Sequence, residues 1–376
     1  MVYEKSLSNL KRVLLIQVVV PSWRRTLYEK LRDSFLESGY DLCLAYDFEA
    51  RTKGHLKSSG EMEDISCVDL DLVDLFGKAK FLRGIQDTIL QIKPDIVITD
   101  ANPRFLSAWE LGGLKKKHNY MLIGWSSGHF HDNGPLATAI KRRFFARFDG
   151  MLAYTDRAFQ LFRDVYQVVS VRAVGNAIDD IQVRNEIESM GKQSIIALRE
   201  QLIGRGRLLV LFVGKLTRGK RVDVLLRAAK RLPDYSFVVI GSGPEERALR
   251  QEASSLSNVR FMGRIEDGVN AYFQAADVFI LPGLGGLALV QALHNGLPII
   301  SSPADGIGYE VVANGVNGFM SEEVDEDFIV ESLAKMQDIE VRRTFSEKSR
   351  QLAQGFKVEQ VASNIVKFVS KLDGGR

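Results

Sequence analysis

From Arg207 to Met320 the chain alternates apolar runs with amphipathic stretches and places glycines and cations where the runs end. The segment opens LFVGKLTRGKRVDVLL and passes through VVIGSGPEE and FMGRIEDG. It continues as FILPGLGGLALVQALHNGLPII and closes DGIGYEVVANGVNGFM. Strand, glycine loop and helix, repeated, is how a parallel sheet sets backbone N–H groups and helix N-termini around a phosphate. The pattern alone points to a nucleotide-type ligand.

The first half follows the same alternation. Val13–Val20 is a continuous apolar run, as in a strand buried on both faces. Pro21–Arg25 (PSWRR) is the loop after it, and Thr26–Ser38 has helical spacing. Further strands are expected at Asp41–Tyr46, Asp95–Thr99, Tyr120–Trp125, Met151–Tyr154 and Val168–Val174. Helices are expected at Lys78–Lys93, Phe105–His118, Leu136–Phe148 and Asp156–Tyr166. Arg51–Asp74 is polar and acidic with weak periodicity and reads as an irregular excursion.

A length of 376 residues suits two domains of about 150–200 residues each. A boundary falls near Asn176–Asp179, and a fresh series of strands and helices begins at Leu208. The expected division is an N-terminal domain over residues 1–178 and a second domain, carrying the nucleotide-type site, over 179–357. A helical tail at about 358–376 would pack back on the first. Each domain would be an α/β, doubly wound parallel sheet, the two facing a central cleft where the carboxyl ends of the strands meet.

Charge and cysteine content narrow the function. Lysine and arginine total 50 against 47 acidic residues, so the net charge of +3 lacks the strong basic stripe of a nucleic-acid binder. Cys43 and Cys67 are too few for a disulfide framework and sit in strand-like contexts, which reads as buried free thiols. MVYEKSLSNLKR has no long apolar run of a signal peptide, and no window approaches the roughly 20 apolar residues of a membrane span. A cytoplasmic protein is expected.

The candidate chemistry lies at strand ends. Gly214-Lys215-Leu216-Thr217-Arg218-Gly219-Lys220 carries three cations on a glycine-flexible loop, which suits a diphosphate whose charge grows as it departs. Gly241-Ser242-Gly243-Pro244-Glu245 and Gly263-Arg264-Ile265 are two further turns of this kind. Pro282-Gly283-Leu284-Gly285-Gly286-Leu287 lets a ligand approach a helix N-terminus, and Gln291 projects from the first turns of that helix. A solvated basic turn and tight helix–sheet packing are the structural alternatives. His129 and His131, in WSSGHFHDNG, stand where an imidazole donates to a sugar or acts as acid or base. Ser22, Trp23 and Arg24 lie in the loop after the first strand, at the ligand-facing end of the first sheet. The other histidines are scattered, so neither a metal nor another cofactor is expected. Ile140, Phe144 and Phe148 share one helical face among Lys141, Arg142, Arg143 and Arg147. Such a stripe faces either the core or an anionic membrane surface, a peripheral contact through 140–148.

These motifs resemble the retaining glycosyltransferases of family 4, which have the GT-B fold. Their G-R-x4-K-G-x-D run is matched by Gly214, Lys215, Lys220 and Asp223, with Lys for Arg at 215 and Arg221 for the final Gly. The G-x-G-P-E turn falls at Gly241–Glu245, F-x-G-x-[VI] at Phe261–Ile265, and N-G-[VI]-D at Asn176–Asp179, with Ala177 in place of its Gly. E-V-V-x-x-G-x-N-G-F falls at Glu310–Phe319. The resemblance covers about Val174 to Met320 and implies that Lys215 and Lys220 bind the donor pyrophosphate. It implies a metal-independent, retaining transfer from a nucleotide-diphosphate sugar to a glycan or lipid-linked acceptor in cell-envelope or polysaccharide assembly. One departure stands out. Family members carry two glutamates eight positions apart, for donor sugar and ribose, and here those positions hold Gly283 and Gln291. The departure motivates a rival reading, a non-catalytic nucleotide-sugar-binding partner subunit. A nucleotide-sugar epimerase is a second rival.

Overall fold

The computed structural model describes residues 10–49, 60–62, 64–77, 79–128, 134–204, 207–303 and 305–375. Two compact units emerge, one of residues 1–179 with 358–376 and one of residues 180–357.

The first unit is built on strands that are apolar and buried at the middle of the sheet and partly exposed toward its edges. In chain order they are β1 (Lys11–Ile16), β2 (Tyr40–Tyr46), β3 (Ser66–Asp69), β4 (Asp71–Leu75), β5 (Ala79–Arg83), β6 (Ile96–Asp100), β7 (Met121–Ser126), β8 (Gly150–Ala153) and β9 (Val171–Ala173). Seven form a parallel sheet in the order β3-β2-β1-β6-β7-β8-β9. β1 is central, and its last four residues are buried, as a strand covered on both faces requires. The run ends at Ile16 rather than Val20, because the chain leaves the sheet at Gln17.

One expected helix is two elements. Residues 79–83 form a strand paired antiparallel with β4, and the helix is confined to Ile85–Ile92. Gly84, with φ of +91°, makes the break that a side-chain-bearing residue adopts at a cost. β4 itself, with β3, lies in the stretch that read as irregular. Its pairing partner is what orders it.

The helix Val358–Gly374 returns to this unit and packs on the helix Arg25–Glu37. It buries Val358, Val361, Ala362, Ile365, Val366 and Val369, a helical spacing. The larger of these side chains are worth roughly 1.5–3 kcal/mol each when fully buried. Near its end Asp373 accepts from Lys11 Nζ at 2.7 Å and Tyr40 Oη at 2.9 Å.

The second unit repeats the plan with β10 (Leu209–Val213), β11 (Ser236–Ile240), β12 (Val259–Gly263), β13 (Val278–Leu281), β14 (Ile299–Ser301) and β15 (Gly318–Met320). Their order, β12-β11-β10-β13-β14-β15, is the doubly wound order 3-2-1-4-5-6, all parallel. Amphipathic helices cover the sheet. Val222–Arg231, for one, buries Val222, Val224, Leu225, Leu226, Ala228 and Ala229. No described helix is long and apolar enough to cross a membrane.

In both sheets the winding reverses beside the first strand, between β1 and β6 and between β10 and β13. Crevices at such reversals are where open α/β sheets take ligands.

Candidate functional site

At the reversal in the second unit, three glycine loops are knitted together by backbone. Gly214 N–H donates to Ile240 O at 3.0 Å, and Leu216 N–H to Ser242 O at 2.9 Å. Leu284 N–H donates to Gly219 O at 2.7 Å. The approach is closer than any Cβ permits. A Cβ at Gly241, where φ is +141°, would lie 1.9 Å from Gly214 O, and one at Gly283 would lie 2.2 Å from Gly219 O. The glycines at 241 and 283 are therefore packing requirements of the cradle.

Lys220 sits inside it. Its ammonium donates to Gly285 O at 3.2 Å and makes no ion pair within 4 Å among the described residues. Burial holds its pKa below the ordinary lysine range, opposed by the charge of Asp305. One Asp305 carboxylate oxygen is itself buried without a hydrogen-bond partner. Lys215 stands exposed on the same loop, after Gly214. The helix Leu287–His294 begins at Gly286, whose extended backbone supplies no side-chain cap. Gly285, Gly286 and Leu287 thus bring free N–H groups beside a desolvated cation, an arrangement that attracts an anion.

Gln291 is held through its amide nitrogen in a network of side chains. Its Nε2 donates to Asn270 Oδ1 at 3.1 Å, an oxygen that also accepts from Asn295 Nδ2 at 2.9 Å. Asn270 in turn donates to Glu186 at 2.6 Å, and Asn295 Oδ1 accepts from Gln274 at 2.9 Å. A glutamate at 291 would present an acceptor to an acceptor unless this network rearranged. Gly263 leaves β12 with φ of +71° and open space around it; Arg264 beyond it is exposed and paired with Glu266 at 3.3 Å, and Ile265 is half-buried.

In the first unit Ser22, Trp23 and Arg24 form a 3-10 turn after β1. Trp23 is 42% exposed and Arg24 only 9%. They border a cavity of about 450 Å3 at the β1/β6 reversal, whose wall also holds Gln17, Asp100, Trp125 and Tyr154. Sequence reasoning missed these four. Asp100 was reachable, since it ends β6 beside the first strand. His129 and His131 lie outside the described residues. Of the stripe on the helix Pro135–Phe145 and just beyond it, Phe144 and Phe148 are buried in the core and only Ile140 faces outward, so the three form no membrane-facing surface. Cys43 is buried and Cys67 partly so, both unpaired. Among the described residues no three His, Cys, Asp or Glu side chains are grouped to hold a metal.

Residues 207–338 match the family model described as glycosyl transferases group 1. An uncharacterized glycosyltransferase of Haemophilus influenzae is 25% identical over 303 residues, covering 77% of this chain and 79% of the relative. The phosphatidyl-myo-inositol mannosyltransferase of Mycobacterium leprae is 26% identical over 168 residues, 39% of this chain and 45% of the relative. Among solved structures, Anabaena HepE in complex with UDP superposes with a TM-score of 0.74 at 16% identity, covering 96% of this chain and 100% of that one.

Proposed function

We propose that this chain, whose residues 207–338 match the glycosyl transferases group 1 model and whose fold is that of GT-B proteins, is a group 1 glycosyltransferase that carries out a retaining, metal-independent transfer. The donor is a nucleotide-diphosphate sugar. The acceptor is a glycan or a lipid-linked glycan in polysaccharide or cell-envelope biosynthesis, reached from the cytoplasm. The observation that carries this reading is the Lys220 ammonium, desolvated and without an ion pair between two glycine loops. A departing diphosphate completes it.

In this reading the sugar–phosphate bond breaks and its electron pair stays on the diphosphate. Lys220, Lys215 and the uncapped N–H groups at Gly285–Leu287 stabilise that charge, a duty a metal performs in other transferases. A phosphate oxygen then takes the acceptor's proton on the face where the bond forms. His129 or His131 would steady the sugar. Gly283 contributes backbone alone, so the donor sugar is held without the carboxylate that resembling enzymes use. The relative's activity on phosphatidyl-myo-inositol supports a lipid-linked acceptor.

A thermal-shift panel of UDP, GDP and ADP, each with and without EDTA, tests this. One diphosphate at 100 times its Kd is expected to stabilise the protein by about 2.7 kcal/mol, unchanged by EDTA. Lys220→Ala is expected to weaken that binding at least about tenfold, since a charge-assisted bond is worth roughly 1.5–3 kcal/mol. No shift with any nucleotide would overturn the donor site. Binding without slow donor hydrolysis would favour a non-catalytic partner, and interconversion of the bound sugar an epimerase.

A further inference from the structure

Arg24, beside the cavity of the first unit, is a buried cation with no ion pair within 4 Å among the described residues, the charge of Asp100 in the same wall acting on it only from farther away. Its guanidinium lies 5.2 Å from the Trp23 ring centroid, 5.5 Å from Trp125 and 5.2 Å from Tyr154. Nη1 donates to Tyr154 Oη at 3.0 Å and Nη2 to Asn176 Oδ1 at 3.2 Å, both neutral acceptors. Among the described residues no carboxylate pairs with it within 4 Å, and Nε has no partner at all. Trp125 Nε1, in the same wall, is a second buried N–H with no acceptor.

A buried charge whose hydrogen bonds go only to neutral partners is poorly compensated, and buried donors are rarely left unused. Both debts fall on one cavity, so both are met by one ligand rich in acceptor oxygens. The wall adds Lys80 and Arg104, with Asp100 as its lone acid. The balance is positive, which selects an anion. The aromatic side chains add flat apolar surface, and Trp23 is accessible at 42%. A sugar ring offers C–H faces to such surface and hydroxyls to the polar groups around it.

We propose that this cavity binds a sugar carrying a phosphate or carboxylate group, with the anion on Arg24 and the ring against Trp23. The inference deepens the transferase reading, on which it rests for calling this sugar the acceptor end.

The test is isothermal titration of the full chain at millimolar ligand with glucose 6-phosphate, glucuronate, glucose and inorganic phosphate. One of the two anionic sugars is expected to bind at least tenfold more tightly than glucose and than phosphate alone, and which one it is identifies the anion. Trp23→Ala alters an accessible ring, and Arg24→Gln removes the charge; each is expected to weaken that binding at least tenfold while leaving diphosphate binding intact. Arg24→Lys, which keeps the charge, is expected to retain more binding than Arg24→Gln; should Arg24→Gln fail to fold, the Trp23→Ala protein and the ligand series still decide. Equal binding of glucose and the anionic sugars, phosphate binding as tightly as the sugar phosphate, or no binding by either anionic sugar overturns the proposal. Anionic-sugar binding without any nucleotide binding would instead sink the transferase reading and leave this site standing.

Discussion

Placing a glutamate at position 283 is expected to unfold the donor cradle and abolish nucleotide binding. Resembling transferases carry a glutamate there, so Gly283→Glu looks like a repair. The geometry says otherwise. A Cβ at 283 would lie 2.2 Å from Gly219 O and 2.7 Å from the Lys220 carbonyl carbon. Both are backbone atoms that cannot rotate away. Gly283 O also accepts from the buried Ser302 hydroxyl at 3.0 Å, so the loop is fixed from its other side too. Overpacking alone costs typically 1–3 kcal/mol, and a carboxylate forced into this buried position adds to it. A loss above about 4 kcal/mol is expected, a fall in Tm on the order of 10 °C for a domain of this size. Gly283→Ala should move in the same direction, because the first carbon already clashes. Gly286 is the control: nothing lies within 4 Å of its Cβ position, so Gly286→Ala should cost about 1 kcal/mol or less. Thermal unfolding of the three variants decides the matter. A Gly283→Glu protein with unchanged Tm and undiminished diphosphate binding would show that the Lys220 turn yields, and that glycine at 283 is not a packing requirement.

How far the sequence leads depends on whether a signal is local. The first three strands of the second unit were legible because each is a short apolar run closed by glycine, at Gly214, Gly241 and Gly263. The helix Leu287–His294 was legible because three glycines precede it. The strand Ala79–Arg83 was not, since AKFLR declares itself only through pairing with Asp71–Leu75. The engagement of Gln291 was hidden for the same reason, its partner Asn270 being 21 positions away. In the first unit Trp23 and Arg24 stood out within PSWRR. The box around Arg24 did not, because its walls come from strand ends at 125 and 154 that meet only in the fold. Spacing located the cation loop Gly214–Lys220. What spacing does not carry is burial, and burial is what makes Lys220 and Arg24 differ from the many surface cations of this chain.

The same reasoning makes Asp100 costly, and removing its charge is expected to stabilise the protein. Burial raises the Asp100 carboxyl from the ordinary 3.8 to about 6, against the pull of the Arg24 guanidinium and of hydrogen bonds from the Val18 backbone and Gln17. The folded-state value lies above the unfolded one. Between about pH 4 and pH 6 the unfolded chain therefore releases this proton first, and stability falls as pH rises. Above about 6 the penalty is complete. At about 1.4 kcal/mol per pH unit it comes to at most about 3 kcal/mol at pH 7. Asp100→Asn keeps the shape and removes the charge, so a Tm gain on the order of 5 °C is expected at pH 7. The gain should fade as the buffer is taken toward pH 4, where the carboxyl is neutral in both states. Melting curves of the two proteins across that range read it directly. A group held at such cost in the wall of a ligand-sized cavity is a candidate for contact with a ligand. A destabilised Asp100→Asn protein, or a gain that persists in acid, would mean that Asp100 is stabilised by its pairing. The poorly compensated charge assigned to Arg24 would then fall with it.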